Sequence, residues 1–363
     1  MQNRKMIKGY ILLIIDSMGI GGAEKMTLTL AEGFTKEGYH VDLIICDSII
    51  RLDISSKIRL HTLNFKKSFL NYVQYRRKLH KLIDNLKNEN KNPFELILVN
   101  LQKSTRLMKG YSKENVFHIV HSTLSEASLK GREGIKLFFK RKKLQSIYND
   151  LNIITVSDGI LKDLRDEVKI RAKSIQTIYN PMNSEEILKL SEEENCINQE
   201  EYIVHVGRFA KVKRHDLLLE AFKKSKLQTK LFLVGDGEER FNIIEKIKDL
   251  RLEEQVILTG FLKNPYPLIK NAKMLVLCSD YEGLPTVLIE ALILNTPIIS
   301  SNCPSGPNEI LVDDLNKFLV HPNSVDELAE MLQYLFGTEY KVKAMYYEKF
   351  LMENVLKQYL ELM

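Results

Sequence analysis

The amino-acid sequence predicts an α/β protein with two domains, each built from βαβ units around a parallel sheet. Short runs rich in β-branched residues alternate with longer amphipathic stretches through most of the chain, and this alternation is typical of strands joined by helical crossovers. The length of 363 residues is too great for one ordinary hydrophobic core and indicates about two domains. A polar stretch that begins near Tyr179 separates two series of such units. We therefore expect the domain boundary there.

The first series contains five predicted strands with helical patterns between them, at residues 10–15, 40–46, 96–100, 116–120 and 153–156. The polar stretch YNPMNSEEILKLSEEENCINQE follows, and Pro181 within it disfavours a continuous helix. The second series predicts strands at residues 202–206, 230–234, 255–259, 274–277 and 297–300. From Val325 to the C terminus the pattern is helical.

Composition and cysteine spacing indicate a globular protein of a reducing compartment. The chain is 44% hydrophobic and 28% charged, as soluble globular proteins are. The N-terminal run YILLII is too short for a signal peptide and ends at Asp16, and no segment approaches the ~20 apolar residues that span a bilayer. The four cysteines form no C-x-x-C pair, which disfavours a disulfide framework or a zinc site. We expect a cytoplasmic protein.

The basic residues are unevenly distributed although the net charge of +6 is modest. The sequence KGREGIKLFFKRKK, from Lys130 to Lys143, places seven cations around Leu137, Phe138 and Phe139. Anionic lipid headgroups attract such a segment, by about 1 kcal/mol for each cation near the surface. A solvated basic helix face explains the same pattern, so both interpretations stay open. No nucleic-acid partner is expected.

A glycine-rich loop follows the first strand. After Asp16 the sequence MGIGGAEKM opens a helix, and the backbone N–H groups of Gly21 and Gly22 at its start suit an anion. A plain turn is an equally good explanation. The G-x-G-G spacing is not the dinucleotide fingerprint, and Asp47 after the second strand is the single feature that keeps a dinucleotide site open.

Two further loops follow strands of the second series. The strand YIVHV runs into GRFAKVKR, where Arg208 and Lys213 can hold a diphosphate through a planar fork and a point charge; a solvated basic loop is the alternative. The strand LFLV runs into GDGEER, where a base or ribose can rest on Gly235, unless this is only a turn before a helix.

The stretch SDYEGLPTVLIEALI carries two carboxylates. Glu282 lies in a loop after a strand, Pro285 opens a helix, and Glu290 follows on its second turn. Because Glu290 lies among apolar residues, an unpaired carboxylate there is costly. We expect both carboxylates to face one cavity and to accept hydrogen bonds from sugar and ribose hydroxyls. A structural salt bridge remains the competing explanation.

The motifs GGAE, GRFAKVK, LVGDGEER and EGLPTVLIE, in this order along nearly the whole chain, resemble the retaining glycosyltransferases of family four, which have the GT-B fold. The resemblance implies two Rossmann-like βαβ domains whose parallel sheets face a central cleft. It implies an acceptor-side domain at residues 1–180, a nucleotide-sugar-binding domain at 181–340, and a C-terminal helix within 341–363 that crosses back to the first domain.

The resemblance also implies roles for individual residues. Glu282 contacts the transferred sugar, and His121 after the fourth predicted strand points at the same sugar, so these two are the catalytic candidates. The remaining donor-binding candidates bind the diphosphate, the ribose or the sugar; they are Gly21, Gly22, Arg208, Lys213, Gly235, Gly283, Leu284 and Glu290. The chain departs from many relatives at Arg214, where they carry glycine. We expect this arginine to add a cation beside the phosphates and to narrow the donor pocket.

The implied activity is retaining transfer of a hexose or N-acetylhexosamine from a nucleotide diphosphate sugar, with UDP-sugars favoured over GDP-mannose. The segment SGPNEIL resembles bacterial members that extend lipid-linked or lipopolysaccharide glycans, so we expect a lipid-linked acceptor in surface-polysaccharide synthesis at the inner face of the plasma membrane. The chain has no Asp-x-Asp pair, and we expect neither a metal nor another cofactor. A nucleotide-sugar epimerase and a non-catalytic sugar-nucleotide binding protein remain alternatives, and the glycine spacing disfavours a dehydrogenase.

Overall fold

The computed structural model describes residues 7–19, 21–66, 71–111, 115–194 and 201–363. The chain divides into two compact units, one formed by Met1–Pro181 with Met352–Met363 and the other by Met182–Leu351. We call them unit 1 and unit 2. The limits expected from the sequence are 180 and 340. Cys196, one of the four cysteines, lies outside the described residues.

Unit 1 contains one parallel sheet. Its strands are β1 (Tyr10–Ile15), β2 (His40–Ile45), β3 (Ile58–Thr62), β4 (Leu96–Asn100), β5 (Val116–Val120), β6 (Asn152–Thr155) and β7 (Ser174–Thr177). They pair in the order β3-β2-β1-β4-β5-β6-β7. All of β4 is buried, as expected for a central strand covered on both faces. The five predicted strands are confirmed to within one residue at each end, whereas β3 and β7 were not predicted.

The helices of unit 1 that precede the boundary are α1 (Gly22–Lys36), α2 (Asn71–Asn90), α3 (Gln102–Leu107), α4 (Leu124–Ser128), α5 (Gly134–Tyr148) and α6 (Asp158–Lys162). A π-helical turn at Asp163–Glu167 continues α6. In α1 the buried residues Met26, Leu30 and Phe34 recur at helical spacing, so one face of this helix packs on the core. Helix α5 buries only Leu144 and Tyr148.

Unit 2 contains a second parallel sheet. Its strands are β8 (Tyr202–Val206), β9 (Lys230–Val234), β10 (Val256–Gly260), β11 (Met274–Leu277), β12 (Ile298–Ser301) and β13 (Leu319–Val320), in the order β10-β9-β8-β11-β12-β13. The five predicted strands are again confirmed, and the two-residue edge strand β13 was not predicted.

The helices of unit 2 are α7 (Ser184–Ser191), α8 (His215–Ser225), α9 (Arg240–Asp249), α10 (Tyr266–Lys270), α11 (Thr286–Ile293), α12 (Pro307–Ile310) and α13 (Val325–Phe336). Short 3₁₀ turns lie at Lys211–Lys213, Asp313–Phe318, Ala344–Tyr346 and Glu348–Phe350. In both units the strands are parallel, so the loops that follow them gather at one edge of each sheet, where open α/β sheets bind ligands. We call this the carboxyl edge.

The last helix, α14 (Met352–Leu360), belongs to unit 1 and packs against α1. The rings of Phe34 and Tyr359 meet edge to face with centroids 6.3 Å apart. Gly33 permits the close approach, because a Cβ at this position would stand 2.7 Å from the sulfur of Met352. Through the described ranges of the chain, no helix is long and apolar enough to cross a bilayer.

Candidate active site

The carboxyl edge of unit 2 brings two predicted site residues together. Lys213 ends the 3₁₀ turn after β8, and Glu282 lies in the loop after β11. Because β8 and β11 are neighbours in the sheet, their loops meet. Lys213 Nζ donates to Glu282 Oε1 at 2.6 Å, with side chains 20% and 13% exposed. A cation and a carboxylate therefore share a half-buried position where strands end.

Serine side chains that no motif in the sequence marks hold the loop of Glu282. Ser279 Oγ donates to Glu282 Oε1 at 2.5 Å, and Ser301 Oγ donates to the carbonyl of Ser279 at 2.7 Å. Ser305, which is fully buried, donates to the carbonyl of Gly283 at 2.9 Å. Leu284 follows in the same loop and is 7% exposed. The carboxylate is thus fixed before any substrate arrives.

Two neutral histidines lie beneath Lys213. His205 is fully buried, and its Nδ1 lies 2.8 Å from the carbonyl of Val276; since a carbonyl only accepts, Nδ1 carries the proton and Nε2 the lone pair. Burial lowers the pKa of His205 to about 4 and that of His215 to about 2. Their rings stack edge to face at 4.7 Å. They support the loop without adding positive charge to it.

Arg208 and Gly235 have different surroundings from Lys213. The Arg208 side chain is 69% exposed and pairs with Glu238 at 3.4 Å. Gly235 has φ +144, and a Cβ there would stand 1.9 Å from the carbonyl oxygen of Gly207. This glycine therefore lets the loops after β8 and β9 touch, a structural reason that the sequence did not reveal.

Glu290 lies on α11 and is 7% exposed. The hydroxyl of Tyr266 donates to Glu290 Oε1 at 3.5 Å. Burial raises the pKa of Tyr266, and the negative charge of Glu290 adds to the effect. Glu290 thus has a tyrosine as a neighbour, whereas Glu282 has Lys213 and Ser279, and the shared cavity expected for the two carboxylates stays a prediction.

Arg214 does not present a free charge to a phosphate. The backbone of Arg214 is in the left-handed region, with φ 50 and ψ 48. Glycine adopts this conformation without strain, which explains why glycine suits this position. Its guanidinium donates to Asp280 at 3.0 Å, to Asp216 at 3.1 Å, and to Asn323. These bonds, that with Asp216 foremost, raise the pKa of Arg214. The expected extra cation is neutralised by these carboxylates.

The carboxyl edge of unit 1 holds His121 in a neutral state. Nε2 of His121 lies 3.0 Å from Oδ1 of Asn100, and Nδ2 of Asn100 donates to the carbonyl of Ile14 at 3.4 Å. Burial lowers the pKa of His121 to about 3. With the proton on Nε2, Nδ1 is left as a hydrogen-bond acceptor. Asn100, at the end of β4, was not singled out from the sequence.

Asp16 connects β1 to α3. Its carboxylate accepts from the backbone N–H groups of Lys103 and Ser104 at 3.1 and 2.6 Å, and from the Ser104 hydroxyl at 2.6 Å, so it caps the first turn of α3. Burial raises the pKa of Asp16 against the opposing effect of these bonds. Lys103 also pairs with Asp47, which gives Asp47 a structural partner.

The glycine loop of unit 1 is partly outside the described residues, because Ile20 is not described. Gly21 precedes α1 with φ −90, and a Cβ there would stand 2.3 Å from Oε2 of Glu24. A Cβ on Gly22 would meet nothing within 4 Å. The Glu24 carboxylate therefore lies over the start of the helix. Across the described ranges, no group of three or more His, Cys, Asp or Glu residues could hold a metal ion.

Two family models match the chain in tandem. Residues 20–186 match the model described as Glycosyltransferase Family 4, and residues 187–349 match the model described as Glycosyl transferases group 1. Among curated proteins, the chain is similar to the N-acetylgalactosamine-N,N'-diacetylbacillosaminyl-diphospho-undecaprenol 4-alpha-N-acetylgalactosaminyltransferase of Campylobacter jejuni, with 26% identity over 329 residues that cover 88% of each protein. It is also similar to the lipopolysaccharide 1,6-galactosyltransferase of Salmonella typhimurium, with 28% identity over 52% of this chain and 53% of that protein.

A solved structure supports the same fold. Anabaena Alr3699/HepE in complex with UDP and glucose has a TM-score of 0.72 at 18% identity, covering 97% of this chain and 98% of that chain. At this identity the likeness concerns the fold alone. The two family matches run end to end from residue 20 to residue 349, and the chain is therefore a glycosyltransferase that belongs to family four, with the GT-B fold of two Rossmann-like domains.

Proposed function

We propose that this chain transfers a hexose or N-acetylhexosamine, with retention of anomeric configuration, from a nucleotide diphosphate sugar to a lipid-linked glycan in surface-polysaccharide synthesis. A UDP-sugar is the first choice of donor and GDP-mannose the second. The observation that carries the proposal is the pair formed by Lys213 and Glu282 at the carboxyl edge of unit 2. A cation beside a carboxylate suits a diphosphate joined to a sugar.

Each group of the pair has a separate task. Lys213 contacts the diphosphate and offsets the charge that develops on the leaving group, and the exposed Arg208 adds a planar fork. Glu282 accepts a hydrogen bond from a sugar hydroxyl. The acceptor hydroxyl attacks the anomeric carbon on the face that the diphosphate leaves: the new C–O bond forms, the bond to the phosphate oxygen breaks, and the hydroxyl proton passes to that oxygen. We expect no metal in this step.

His121 offers a neutral acceptor atom at the carboxyl edge of unit 1. Its Nε2 is engaged by Asn100, so Nδ1 is the atom that can accept a sugar hydroxyl. A charged imidazolium could only donate, which is why its low pKa matters. The Campylobacter relative carries diphospho-undecaprenol in its name, and this supports a lipid-linked acceptor here.

Helix α5 supports peripheral attachment to an anionic membrane at its cytoplasmic face. Ile135, Phe138 and Phe139 are 71%, 54% and 64% exposed, and Lys142 lies over the Phe138 ring at 5.7 Å. Apolar side chains flanked by cations suit the boundary between headgroups and acyl chains. This is the surface from which a lipid-linked acceptor would be reached.

Liposome flotation tests the membrane contact. We expect flotation with vesicles that contain anionic lipid, and loss of it in the double variant Phe138→Ser with Phe139→Ser. Phe241→Ser is a matched control, because Phe241 is 80% exposed on unit 2. Flotation that is indifferent to anionic lipid, or equal loss in the Phe241 variant, contradicts the proposal.

Nucleotide binding and product identity test the enzyme function. With EDTA present, we expect UDP to stabilise the wild-type protein more than GDP does, and Lys213→Ala to weaken this stabilisation. Incubation with UDP-sugars and a lipid-linked glycan should then yield an extended glycan and UDP. A free epimerised sugar favours the epimerase, binding without turnover favours the binding protein, and the absence of nucleotide binding overturns the proposed donor site.

A further inference from the structure

Three consecutive residues of the loop after β8 bond to the loop after β11. The carbonyl of Val212 accepts from the backbone N–H of Asp280 at 2.8 Å, Lys213 donates to Glu282 at 2.6 Å, and Arg214 Nη1 donates to Asp280 Oδ1 at 3.0 Å. The middle contact joins the two groups assigned above to the donor. A bound diphosphate and sugar compete for both of them, so this contact weakens on binding.

The contact of Arg214 is made at a cost to its backbone. With φ 50 the residue adopts a conformation that glycine accepts and side chains disfavour. The guanidinium bonds two carboxylates, Asp216 and Asp280, and also Asn323 from the loop after β13. Its side chain is 22% exposed, and that of Asp280 is 30% exposed, so water competes only in part. None of these partners is a donor-binding candidate.

We propose that Arg214 is a positioning residue. Its ion pair with Asp280, which we call the clasp, holds the loops after β8 and β11 together when bound substrate has broken the contact between Lys213 and Glu282. The clasp thereby keeps these two side chains at the spacing that the substrate needs. The inference rests on the proposed function of that pair. Arg214 adjoins Lys213 in sequence, and Asp280 lies two residues before Glu282. The planar fork of arginine can hold two carboxylates at once, which a lysine head group cannot do in the same geometry.

Isothermal titration with UDP tests the clasp. We expect Arg214→Gly to weaken UDP binding about tenfold, within the range of coupling between contacting residues, while the melting temperature stays close to that of the wild type because glycine favours φ 50. Asp280→Ala should weaken binding to a similar extent. The double variant should be no worse than either single variant, since both remove one contact, and Arg214→Lys should recover part of the loss.

Arg251→Gly is the matched control. Arg251 also has a left-handed backbone, with φ 53, is exposed, and precedes β10 at the opposite edge of the same sheet. We expect its UDP affinity to equal that of the wild type. An Arg214→Gly affinity within twofold of wild type overturns the clasp, as does a further tenfold loss when Asp280→Ala is added. Failure of the wild type to bind UDP or GDP instead overturns the proposed donor site itself.

Discussion

The carboxyl edges of the two sheets share a topology but carry different chemistry. In unit 2 the edge presents an ion pair, Lys213 with Glu282, and both side chains keep some exposure. In unit 1 the edge also holds an ion pair, Lys103 with Asp47, but it adds His121, whose pKa is lowered to about 3 by burial, bonded to the neutral Asn100. Parallel strands place loops at the same edge in both cases. Side-chain charge and burial, rather than topology, therefore set what each edge can bind.

The carboxylates Asp16 of unit 1 and Glu282 of unit 2 also differ in what they can bind. Asp16 of unit 1 accepts hydrogen bonds from the backbone of α3 and from the Ser104 hydroxyl, and the nearby Lys103 side chain pairs with Asp47 instead. Glu282 of unit 2 receives one lysine and one serine, and both can exchange for ligand groups. The first carboxylate stabilises a helix start, and the second is available to a substrate.

Substitutions in the ion pair should give the largest effects and should distinguish the role of Glu282 from that of Lys213. Glu282→Gln removes the charge at equal size, so we expect sugar transfer to fall by about 10²–10³-fold while UDP binds as well as before or better, because Lys213 loses its competing partner. Lys213→Ala should weaken UDP binding by about 10- to 100-fold, the value of a hydrogen bond from a charged donor. Titration with UDP and assays of nucleotide release measure both effects.

Lys246→Ala is the control for this comparison. Lys246 pairs with Glu220 between α9 and α8 of the same unit, so its loss changes the charge of unit 2 by the same amount. We expect UDP affinity to stay within twofold. Equal weakening of UDP by Glu282→Gln and Lys213→Ala would mean that both side chains act on the phosphates, and the division of tasks would be wrong.

Glycine substitutions probe whether the two edges need glycine for the same reason. Gly235→Ala places a Cβ 1.9 Å from the Gly207 carbonyl oxygen at φ +144, so we expect a loss of about 3 kcal/mol or more in the free energy of unfolding. Gly260→Ala, at φ +74 in open space, should cost about 1 kcal/mol. Gly22→Ala on unit 1 meets nothing and begins a helix, so it should be neutral or stabilising by up to about 1 kcal/mol. Urea unfolding measures all three.

The strands show which parts of the fold the sequence could predict. Central strands such as β1 and β4 are continuous apolar runs, because both faces are buried, and these were predicted. The missed strands β3, β7 and β13 all lie at sheet edges. In β7 the residues alternate between exposed and half-buried positions and read SIQT, so no apolar run marks them. Their pairing depends on a neighbouring strand that is distant in sequence.

The site shows a similar limit. Motif order picked out Lys213 and Glu282 as candidates, yet their contact depends on β8 and β11 being neighbours in the sheet, which the sequence did not show. Ser279 and Asn100 were missed because a single serine or asparagine at a strand end has no distinctive pattern. The left-handed backbone at Arg214 was not predicted, although the resemblance places glycine there in many relatives, and the sequence could not tell that Asp280 would neutralise the charge.

Substitutions of His121 test its role as a neutral hydrogen-bond acceptor at the carboxyl edge of unit 1. His121→Gln keeps one donor and one acceptor, so we expect transfer to fall only a few-fold, whereas His121→Ala removes both and should lower it about tenfold. UDP affinity should not change in either variant, because UDP lacks the sugar whose hydroxyl His121 is proposed to contact. His118→Gln is the control: His118 lies inside β5, 3.2 Å from Thr105 Oγ1, and should affect stability rather than rate. Equal rate losses in the Gln and Ala variants of His121 would contradict its proposed role as a hydrogen-bond acceptor.

Acid sensitivity offers the most general comparison of the two units. Burial lowers the pKa of His118 and His205 to about 4 and that of His215 to about 2, from 6.5. Below pH 6.5 the unfolded chain therefore takes up protons that the folded chain refuses, and stability falls as pH falls toward 4. Each such histidine contributes up to about 1.4 kcal/mol per pH unit. Unit 1 also lowers the pKa of His40 and His80 by burial, so its stability should fall more steeply.

Amide hydrogen exchange between pH 6.5 and 5 can resolve the two units, with β4 reporting on unit 1 and β11 on unit 2. His215→Phe tests the assignment, because the ring packs against Phe209 at 4.9 Å and phenylalanine cannot take up a proton. We expect the pH slope of β11 to decrease by up to about 1.4 kcal/mol per pH unit and that of β4 to stay unchanged. Identical slopes for β4 and β11 in the wild type, changing together in the variant, would show instead that the units unfold as one and that the histidines of both units set a common stability.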